Sequence, residues 1–365
     1  MDYVPGEITT LHKLTERNPD CSVEDVTLVV PMTERDLYLD ATKWTFSEIE
    51  RIGPGKVIVP LRCGEKEVER VYKWLKKFDL DLEVLWCNGE QMEEFLDDKG
   101  TNRGNGKGDD IWLALGLASE YGEFIICHDV DRKSYVGEDI FRLLFPLVRG
   151  HRFVKGYYAR VESDRMYGRL CRLFYSPLVR ALREVQDHSV LTYLDAFKYG
   201  LAGEFGIRSE YAKKIRIEPG FGLEVGLLGE AFNFAGFEAT AQVDLGVYEH
   251  FHRGVNGPNG LVEMSREVGG ALFGILHREG VEVKYDVVRR EYESMANKFI
   301  REYELDALYN DLTYDIQEEL EQIGEYAKSI QSSGEDTRIK SWDELGIRGE
   351  DVEDVCVEDM DLIIN

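Results

Sequence analysis

The sequence is poor in proline and cysteine and has no long apolar run. Its 365 residues include 9 prolines and 6 cysteines. The cysteines form no CxxC pair and no secretory framework, so we expect reduced, mostly buried thiols. No segment approaches the roughly 18 consecutive apolar residues of a membrane span. The first ten residues also lack a basic region followed by an apolar stretch, so the expected location is the cytoplasm.

Positive charge is outnumbered by negative charge. The chain has 44 Lys and Arg against 70 Asp and Glu, a formal net charge of -26. Nucleic-acid binders need clustered cations for their phosphate contacts, so this balance argues against that class and against an anionic membrane surface. The acidic residues are dispersed, which favours a soluble protein of a salt-accumulating (halophilic) cytoplasm, where salt screens self-repulsion. An acidic protein of an ordinary cell is the alternative.

Apolar runs alternate with helical patterns along the first part of the chain. Four such runs, rich in β-branched residues and closed by turn or polar residues, occupy residues 26–30, 57–61, 82–86 and 124–127. Strands separated by helices form right-handed βαβ units and a parallel sheet. We therefore predict an α/β fold with a doubly wound, mostly parallel sheet flanked by helices.

Two aspartates follow the fourth apolar run. Asp129 and Asp131 stand where the strand should end, with one residue between them. Ligands of open α/β sheets bind beyond the carboxyl ends of the strands. Carboxylates suit Mg²⁺ or Mn²⁺, hard cations that also bridge to phosphate oxygens. The pair predicts a divalent-cation site, and a turn that caps the next helix is the alternative.

Three further segments carry candidate residues. Lys107 lies in the glycine-rich stretch 104–110, where backbone and lysine can approach a phosphate, although the stretch lacks the Ser or Thr of a GxxxxGK[ST] loop. A plain surface loop is the alternative. Glu224 stands at the start of an apolar helix after a glycine-rich turn. His250 follows a strand-like segment and can bind a metal as neutral imidazole, although such a histidine is more often an ordinary polar residue.

In their order, these segments resemble the glucosyl-3-phosphoglycerate synthases, retaining glycosyltransferases of the single-domain type A (GT-A) fold, and more distantly the mannosyl-3-phosphoglycerate synthases. The resemblance runs from about residue 26 to about residue 276. Its most specific segments are PGFGLEVGLL, AQVDLGVYEH and MSREV. Upstream, GKGDDIW resembles the family's GKGE segment, HDVD its DSD, and FVKGYYAR the strand that follows.

The resemblance implies a metal-dependent hexosyltransferase that moves a hexose from a nucleotide-diphosphate sugar to a small phosphorylated acceptor, 3-phosphoglycerate above all. Its cofactor is Mg²⁺ or Mn²⁺, with Asp129 and Asp131 as the acids of the metal site and Asp131 as the direct ligand. Position by position, the implied residues are as follows: catalytic, Glu224 and Asp131; metal-binding, Asp131 and His250; donor-binding, Pro31, Met32, Glu34, Lys107 and Asp129; acceptor-binding, Gly168, Arg169 and Cys171.

Some positions depart from the family's pattern. Cys171 stands where the acceptor segment GRxT has a hydroxyl. Residues 60–62 lack the acidic side chain that commonly reads the edge of uracil, and the opening at 31–35 resembles the mannosyl enzymes as much as the glucosyl ones. We therefore expect UDP-glucose or a GDP-sugar as the donor.

We divide the chain into four parts: a polar, extended lead-in, 1–25; a catalytic domain, 26–287, with a nucleotide-sugar half, 26–150, and an acceptor half, 151–287; a continuously helical region, 288–331; and an acidic tail, 332–365. The tail is expected to be partly ordered and to pack on the domain or on a partner. A homodimer is a further expectation.

Three other functions fit the same residues. One is a transferase of the same fold with a lipid-linked or polysaccharide acceptor. Another is a metal-dependent nucleotide phosphohydrolase, which would need no acceptor. The third is a non-catalytic nucleotide-sugar binding module that acts through its acidic tail.

Overall fold

The structure, a computed structural model, describes residues 6–101, 106–249, 260–332, 334 and 336–364. In this part of the chain the strands are β1 (Thr9–Leu11), β2 (Val26–Val29), β3 (Met32–Thr33), β4 (Lys56–Arg62), β5 (Leu82–Trp86), β6 (Phe124–Cys127), β7 (Phe153–Glu162), β8 (Arg165–Met166), β9 (Phe205–Arg208) and β10 (Thr240–Tyr248). The α-helices are α1 (Asp40–Ile52), α2 (Glu65–Leu75), α3 (Glu90–Asp98), α4 (Lys107–Ala118), α5 (Glu138–Val148), α6 (Ser176–Val185), α7 (Ser189–Asp195), α8 (Ser209–Ala212), α9 (Leu223–Phe234), α10 (Leu261–Arg278), α11 (Tyr285–Tyr309), α12 (Ile316–Ala327), α13 (Trp342–Leu345) and α14 (Gly349–Ile364).

The strands join in one mostly parallel sheet in the order β1-β10-β7-β9-β6-β2-β4-β3, and β5 and β8 pair with β4 and β7. Strand β9 runs antiparallel to both β6 and β7. The four predicted strands are β2, β4, β5 and β6, and the prediction of a mostly parallel α/β sheet flanked by helices is confirmed.

The centre of the sheet is buried on both faces. Every residue of β2 and of β6 is buried, as expected for parallel strands covered by helices. Helix α4 is buried along nearly its whole length after its first residue, Lys107. A strand and a helix held so firmly fix the positions of the polar residues at their ends.

The N-terminal lead-in contributes to the sheet. Strand β1 pairs in parallel with β10, with Thr9 opposite Ala241. Three residues are too few to show a strand period in the sequence, so this strand was not predicted. Part of the lead-in is thus a hydrogen-bonded strand of the sheet.

The continuous helix expected over 288–331 is wrong, because α11 ends at Tyr309 and α12 begins at Ile316. Between them, Asp311 has a φ of +56°, in the left-handed region. The Asp315 side chain then accepts a hydrogen bond from the backbone N–H of Glu318 at 3.0 Å and caps α12. No helix in the described residues is long and apolar enough to cross a membrane.

The acidic C-terminal segment packs on the domain. Trp342 is buried, and its ring meets that of Trp112 edge to face at 6.1 Å between centroids. A Cβ on Gly116 would lie 1.9 Å from the Trp342 ring, so only glycine fits beneath it. At the other end, the Asp359 carboxylate accepts hydrogen bonds from the first N–H groups of α3, at 2.9 and 3.0 Å. The described part of this segment is therefore integral to the fold.

Candidate active site

A cavity of about 170 Å³ lies beyond the end of β6. Residues from α4, α9 and α10, the end of β7 and the turn after β8 surround it. Six of the residues singled out from the sequence line it together: Lys107, Asp129, Gly168, Arg169, Cys171 and Glu224. Residues far apart in the chain thus meet around one space.

Lys107 joins two carboxylates at this cavity. Its Nζ lies 2.7 Å from Oδ1 of Asp129 and 3.2 Å from Oε1 of Glu224. Burial disfavours the charged lysine, but the two carboxylates outweigh that effect and hold the pKa of Lys107 well above its ordinary value. A protonated ammonium group therefore lies at the junction of α4, α9 and the loop after β6.

The loop after β6 is held on both sides. Val130, between the two aspartates, is buried. The buried Arg132 forms an ion pair with Asp139 and donates a hydrogen bond to the carbonyl of Leu245 at 3.1 Å. The backbone N–H of Lys133 donates to the carbonyl of Glu249 at 3.0 Å. The loop that carries the aspartates therefore runs beside the end of β10.

Gly203 leaves room for the Asp129 carboxylate. A Cβ at position 203 would lie 2.3 Å from Oδ2 of Asp129, far inside a normal contact. The glycine stands two residues before the start of β9, the strand that the sequence pattern did not reveal.

The predicted cation site is only partly within the described residues. Asp129 and Asp131 supply the oxygen ligands that Mg²⁺ and Mn²⁺ prefer. His250, the third predicted residue, lies outside the described residues. Among those described, no group of three or more His, Cys, Asp or Glu side chains is placed to hold a metal ion. The carboxylate pair therefore fits a hard divalent cation as part of a larger ligand set.

The predicted acceptor residues form one wall of the cavity. Gly168 has a φ of +75°, in the left-handed region that favours glycine. A Cβ there would also lie 2.6 Å from the Tyr199 hydroxyl oxygen, so both the backbone conformation and the available space require glycine. Arg169 follows it and forms an ion pair with Glu318. Cys171 lies in the π-helical turn Leu170–Tyr175, and burial raises the pKa of its thiol. It therefore lines the wall as a small, uncharged group.

Three predicted donor residues lie outside the cavity lining. Pro31, Met32 and Glu34 follow the end of β2, and the Met32 side chain is buried in the hydrophobic core. An oxygen of Glu34 accepts a hydrogen bond from the backbone N–H of Gly64 at 3.0 Å. The structure thus places these residues at the predicted edge of the sheet but does not bring their side chains together with Lys107.

Arg160 and Tyr199 are among the cavity residues that the sequence did not single out. Arg160, near the end of β7, and Tyr199, before β9, both line the space. Arg160 adds a third cation to Lys107 and Arg169. Arg160 is the last residue of the strand-like segment FVKGYYAR. A polar residue at the end of a strand is the signal that singled out Asp129, so the same signal could have identified Arg160.

Two buried titratable groups beside the site have shifted pKa values. Lys155 lies on β7 and Glu204 directly before the neighbouring strand β9, and both are fully buried. Burial and the charge of Asp129 raise the pKa of Glu204 to about 7. Burial lowers the pKa of Lys155 to about 8. Such shifts cluster at functional sites.

Known structures share this fold. A crystal structure of glucosyl-3-phosphoglycerate synthase from Mycobacterium tuberculosis, in complex with Mn²⁺, UDP and phosphoglyceric acid, matches with a TM-score of 0.55. The match covers 76% of this chain and 88% of that chain at 22% identity. The fold is therefore that of a GT-A glycosyltransferase, as predicted.

Curated sequences identify the family. Glucosyl-3-phosphoglycerate synthase from Methanococcoides burtonii is 31% identical over 93% of this chain and 90% of its own length. The synthase from Persephonella marina is 34% identical over 90% of this chain and 88% of its own. No protein-family model matches the chain. The chain belongs to the glucosyl-3-phosphoglycerate synthase family, and the predicted resemblance is confirmed.

Proposed function

We propose that the protein transfers glucose from a nucleotide-diphosphate sugar to 3-phosphoglycerate, with Mg²⁺ or Mn²⁺ as cofactor. The observation that carries this proposal is the meeting of Lys107, Asp129, Glu224 and Arg169 around one cavity. The relatives support the substrates. Structures of the Mycobacterium tuberculosis synthase contain UDP-glucose and Mn²⁺ with phosphoglyceric acid or with glycerol 3-phosphate.

The cation belongs at the loop after β6. Asp131 and His250 would hold it, with Asp129 as the second acid of the site, because carboxylate oxygens suit Mn²⁺ and Mg²⁺ and a neutral imidazole can bind a metal. When bound, the cation neutralises charge on the departing diphosphate, the kind of stabilisation that usually contributes most to catalysis.

Lys107 faces the same leaving group. Its ion pairs with Asp129 and Glu224 keep it protonated, so it can donate hydrogen bonds to a phosphate oxygen at neutral pH. Together with Arg160 and Arg169, it provides positive charge in a protein whose net charge is -26. A few fixed cations thus make a local site for two anionic substrates.

The transfer itself retains the anomeric configuration. The acceptor hydroxyl attacks C1 of the sugar on the face that the diphosphate leaves, a new C–O bond forms, and the old one breaks with its electron pair on the diphosphate. A donor phosphate oxygen takes the acceptor proton, so no protein nucleophile is needed. Glu224 orients the acceptor hydroxyl and the sugar, and Arg169 with the Gly168 turn holds the acceptor's anionic group. A covalent sugar trapped on Glu224 would overturn this mechanism.

Other expectations stay predictions from the sequence. They are the cytoplasmic location, the halophilic host, a compatible-solute role for the product, the homodimer, and the division of residues 26–287 into nucleotide-sugar and acceptor halves. Donor binding by Pro31, Met32 and Glu34 also stays a prediction.

A thermal-shift experiment tests the proposal. UDP-glucose, GDP-mannose, GDP-glucose and ADP-glucose are each added with Mn²⁺ or Mg²⁺ in high salt, with and without 3-phosphoglycerate. A ligand at 100 times its Kd stabilises the native state by about 2.7 kcal/mol. We expect one donor to stabilise the protein only with the metal, and Asp131→Ala to abolish that shift.

The control is Asp361→Ala, which removes an exposed carboxylate of α14. If no donor stabilises the wild-type protein under any metal condition, the proposal fails. Release of sugar phosphate without an acceptor would favour the phosphohydrolase, and binding without turnover would favour the binding module.

A further inference from the structure

The acceptor-site arginine already has a carboxylate partner within the chain. Glu318, in the first turn of α12, forms an ion pair with Nη1 of Arg169, and its second oxygen lies 3.5 Å from Nη2 of Arg165. The Glu318 side chain is 43% exposed, whereas that of Arg169 is 16% exposed. The pair is thus open to solvent on the glutamate side.

The structure holds Glu318 firmly in this place. The next residue, Glu319, forms an ion pair with Arg172 at 2.7 Å, and both side chains are 7% exposed. Arg172 belongs to the π-helical turn that also contains Cys171, and this turn begins directly after Arg169. The Asp315 cap fixes the backbone N–H of Glu318. The first turn of α12 is therefore anchored to the acceptor wall of the cavity.

A guanidinium group binds carboxylates and phosphates with the same donors. We propose that Glu318 is an internal competitor for Arg169: it holds the arginine until the anionic group of the acceptor displaces it, and it thereby sets the acceptor affinity. The α11–α12 region is then part of the acceptor site. The inference rests on the proposed function, because that function assigns Arg169 to the acceptor.

Removing the charge of Glu318 should tighten acceptor binding. Exposed ion pairs change an equilibrium constant by a factor of about 1.4 to 5. We therefore expect Glu318→Gln to lower the KM for 3-phosphoglycerate about two- to fivefold, with kcat unchanged. Salt shortens the Debye length from about 10 Å at 0.1 M to about 3 Å at 1 M, so the difference between variant and wild type should shrink at high salt.

The decisive test needs no turnover. Binding of inorganic phosphate and of 3-phosphoglycerate is measured by calorimetry without a donor, for wild type, Glu318→Gln, Glu318→Ala, Arg169→Ala and Glu325→Gln. Glu325 lies on the same helix and pairs only with Lys328 among the ion pairs of the described residues, so its variant controls for the change in charge. Melting temperatures show whether each variant is folded.

We expect both Glu318 variants to bind the anions about two- to fivefold more tightly than wild type and the Glu325→Gln control, and Arg169→Ala to lose binding. Equal or weaker binding by folded Glu318 variants would overturn the inference and make Glu318 a residue that positions Arg169. No anion binding by any variant would also overturn it. If anions bind as expected but no glucose is transferred, the proposed function fails and the competition stands.

Discussion

Gly203 sets the position of the Asp129 carboxylate, and a single methyl group should show this. A Cβ at 203 would lie 2.3 Å from Oδ2 and 2.8 Å from Cγ of Asp129, whereas ordinary contacts begin at 3.4 Å. Alanine there must displace the carboxylate by about 1 Å. Since a misplacement of about 1 Å can lower a rate about 100-fold, we expect Gly203→Ala to lower kcat/KM by about that factor.

Stability should change little in the same variant. The atoms in the way belong to the end of a side chain that can rotate, and the backbone at Gly203 is not left-handed. A 100-fold loss corresponds to about 2.7 kcal/mol of transition-state stabilisation. The assay is the initial rate of nucleoside diphosphate release at saturating metal, with a melting curve for each variant.

Gly324→Ala is the matched control, because a Cβ at this helical position meets nothing within 4 Å. It should keep full activity and gain slightly in stability, since alanine favours helices. If folded Gly203→Ala retains kcat/KM within about threefold of wild type, well short of the loss expected from a misplaced group, then Gly203 does not set the position of Asp129.

Three further outcomes follow from named contacts. Lys107→Met removes the cation between Asp129 and Glu224 and should lower kcat about 100- to 1,000-fold. The control, Lys298→Met on the exposed face of α11, should leave kcat unchanged. Equal rates for the two variants would refute the role of Lys107. Trp342→Ala should lower the free energy of unfolding in urea by about 3 to 5 kcal/mol, and a loss below about 1 kcal/mol would contradict the packing of the C-terminal segment on α4. Hydrogen bonds from Arg216 and from the Ser341 backbone lower the pKa of Glu344 from 4.5 to about 2. Because the folded pKa is the lower one, this group stabilises the protein above about pH 4.5, and the contribution is lost as the pH falls towards about 2. The difference in melting temperature between wild type and Glu344→Gln should therefore be larger at pH 7 than at pH 3, and equal differences would contradict this.

The parts of the fold that the sequence predicted are those with a local pattern. Strand β6 is a run of four buried apolar residues, and the aspartates follow it directly. Lys107 is the first residue of a helix that is buried along most of its length. In both cases the end of an element places a polar residue at the edge of the sheet, so part of the site could be read from the chain.

The missed features depend on contacts between distant residues. Strand β9 has four residues and runs antiparallel, which nothing in its own sequence specifies. Glu318 and Arg169 are 149 positions apart, and Gly203 matters only because Asp129 lies against it. The interruption of the helical region rests on the Asp311 turn and the Asp315 cap, which a helical period cannot show. Contacts between distant residues leave no periodic pattern in the sequence from which they could be predicted.

Identification of the product is the decisive test of glucose transfer to 3-phosphoglycerate. The protein is incubated with UDP-glucose, GDP-glucose or GDP-mannose, Mn²⁺ and 3-phosphoglycerate, and the products are analysed by NMR and mass spectrometry. We predict an α-linked glucosyl-3-phosphoglycerate and one equivalent of nucleoside diphosphate, both absent when the metal is chelated or Asp131 is replaced by Ala. A β-linked product would contradict retention. Failure to glycosylate 3-phosphoglycerate with any of these donors would contradict the proposed function.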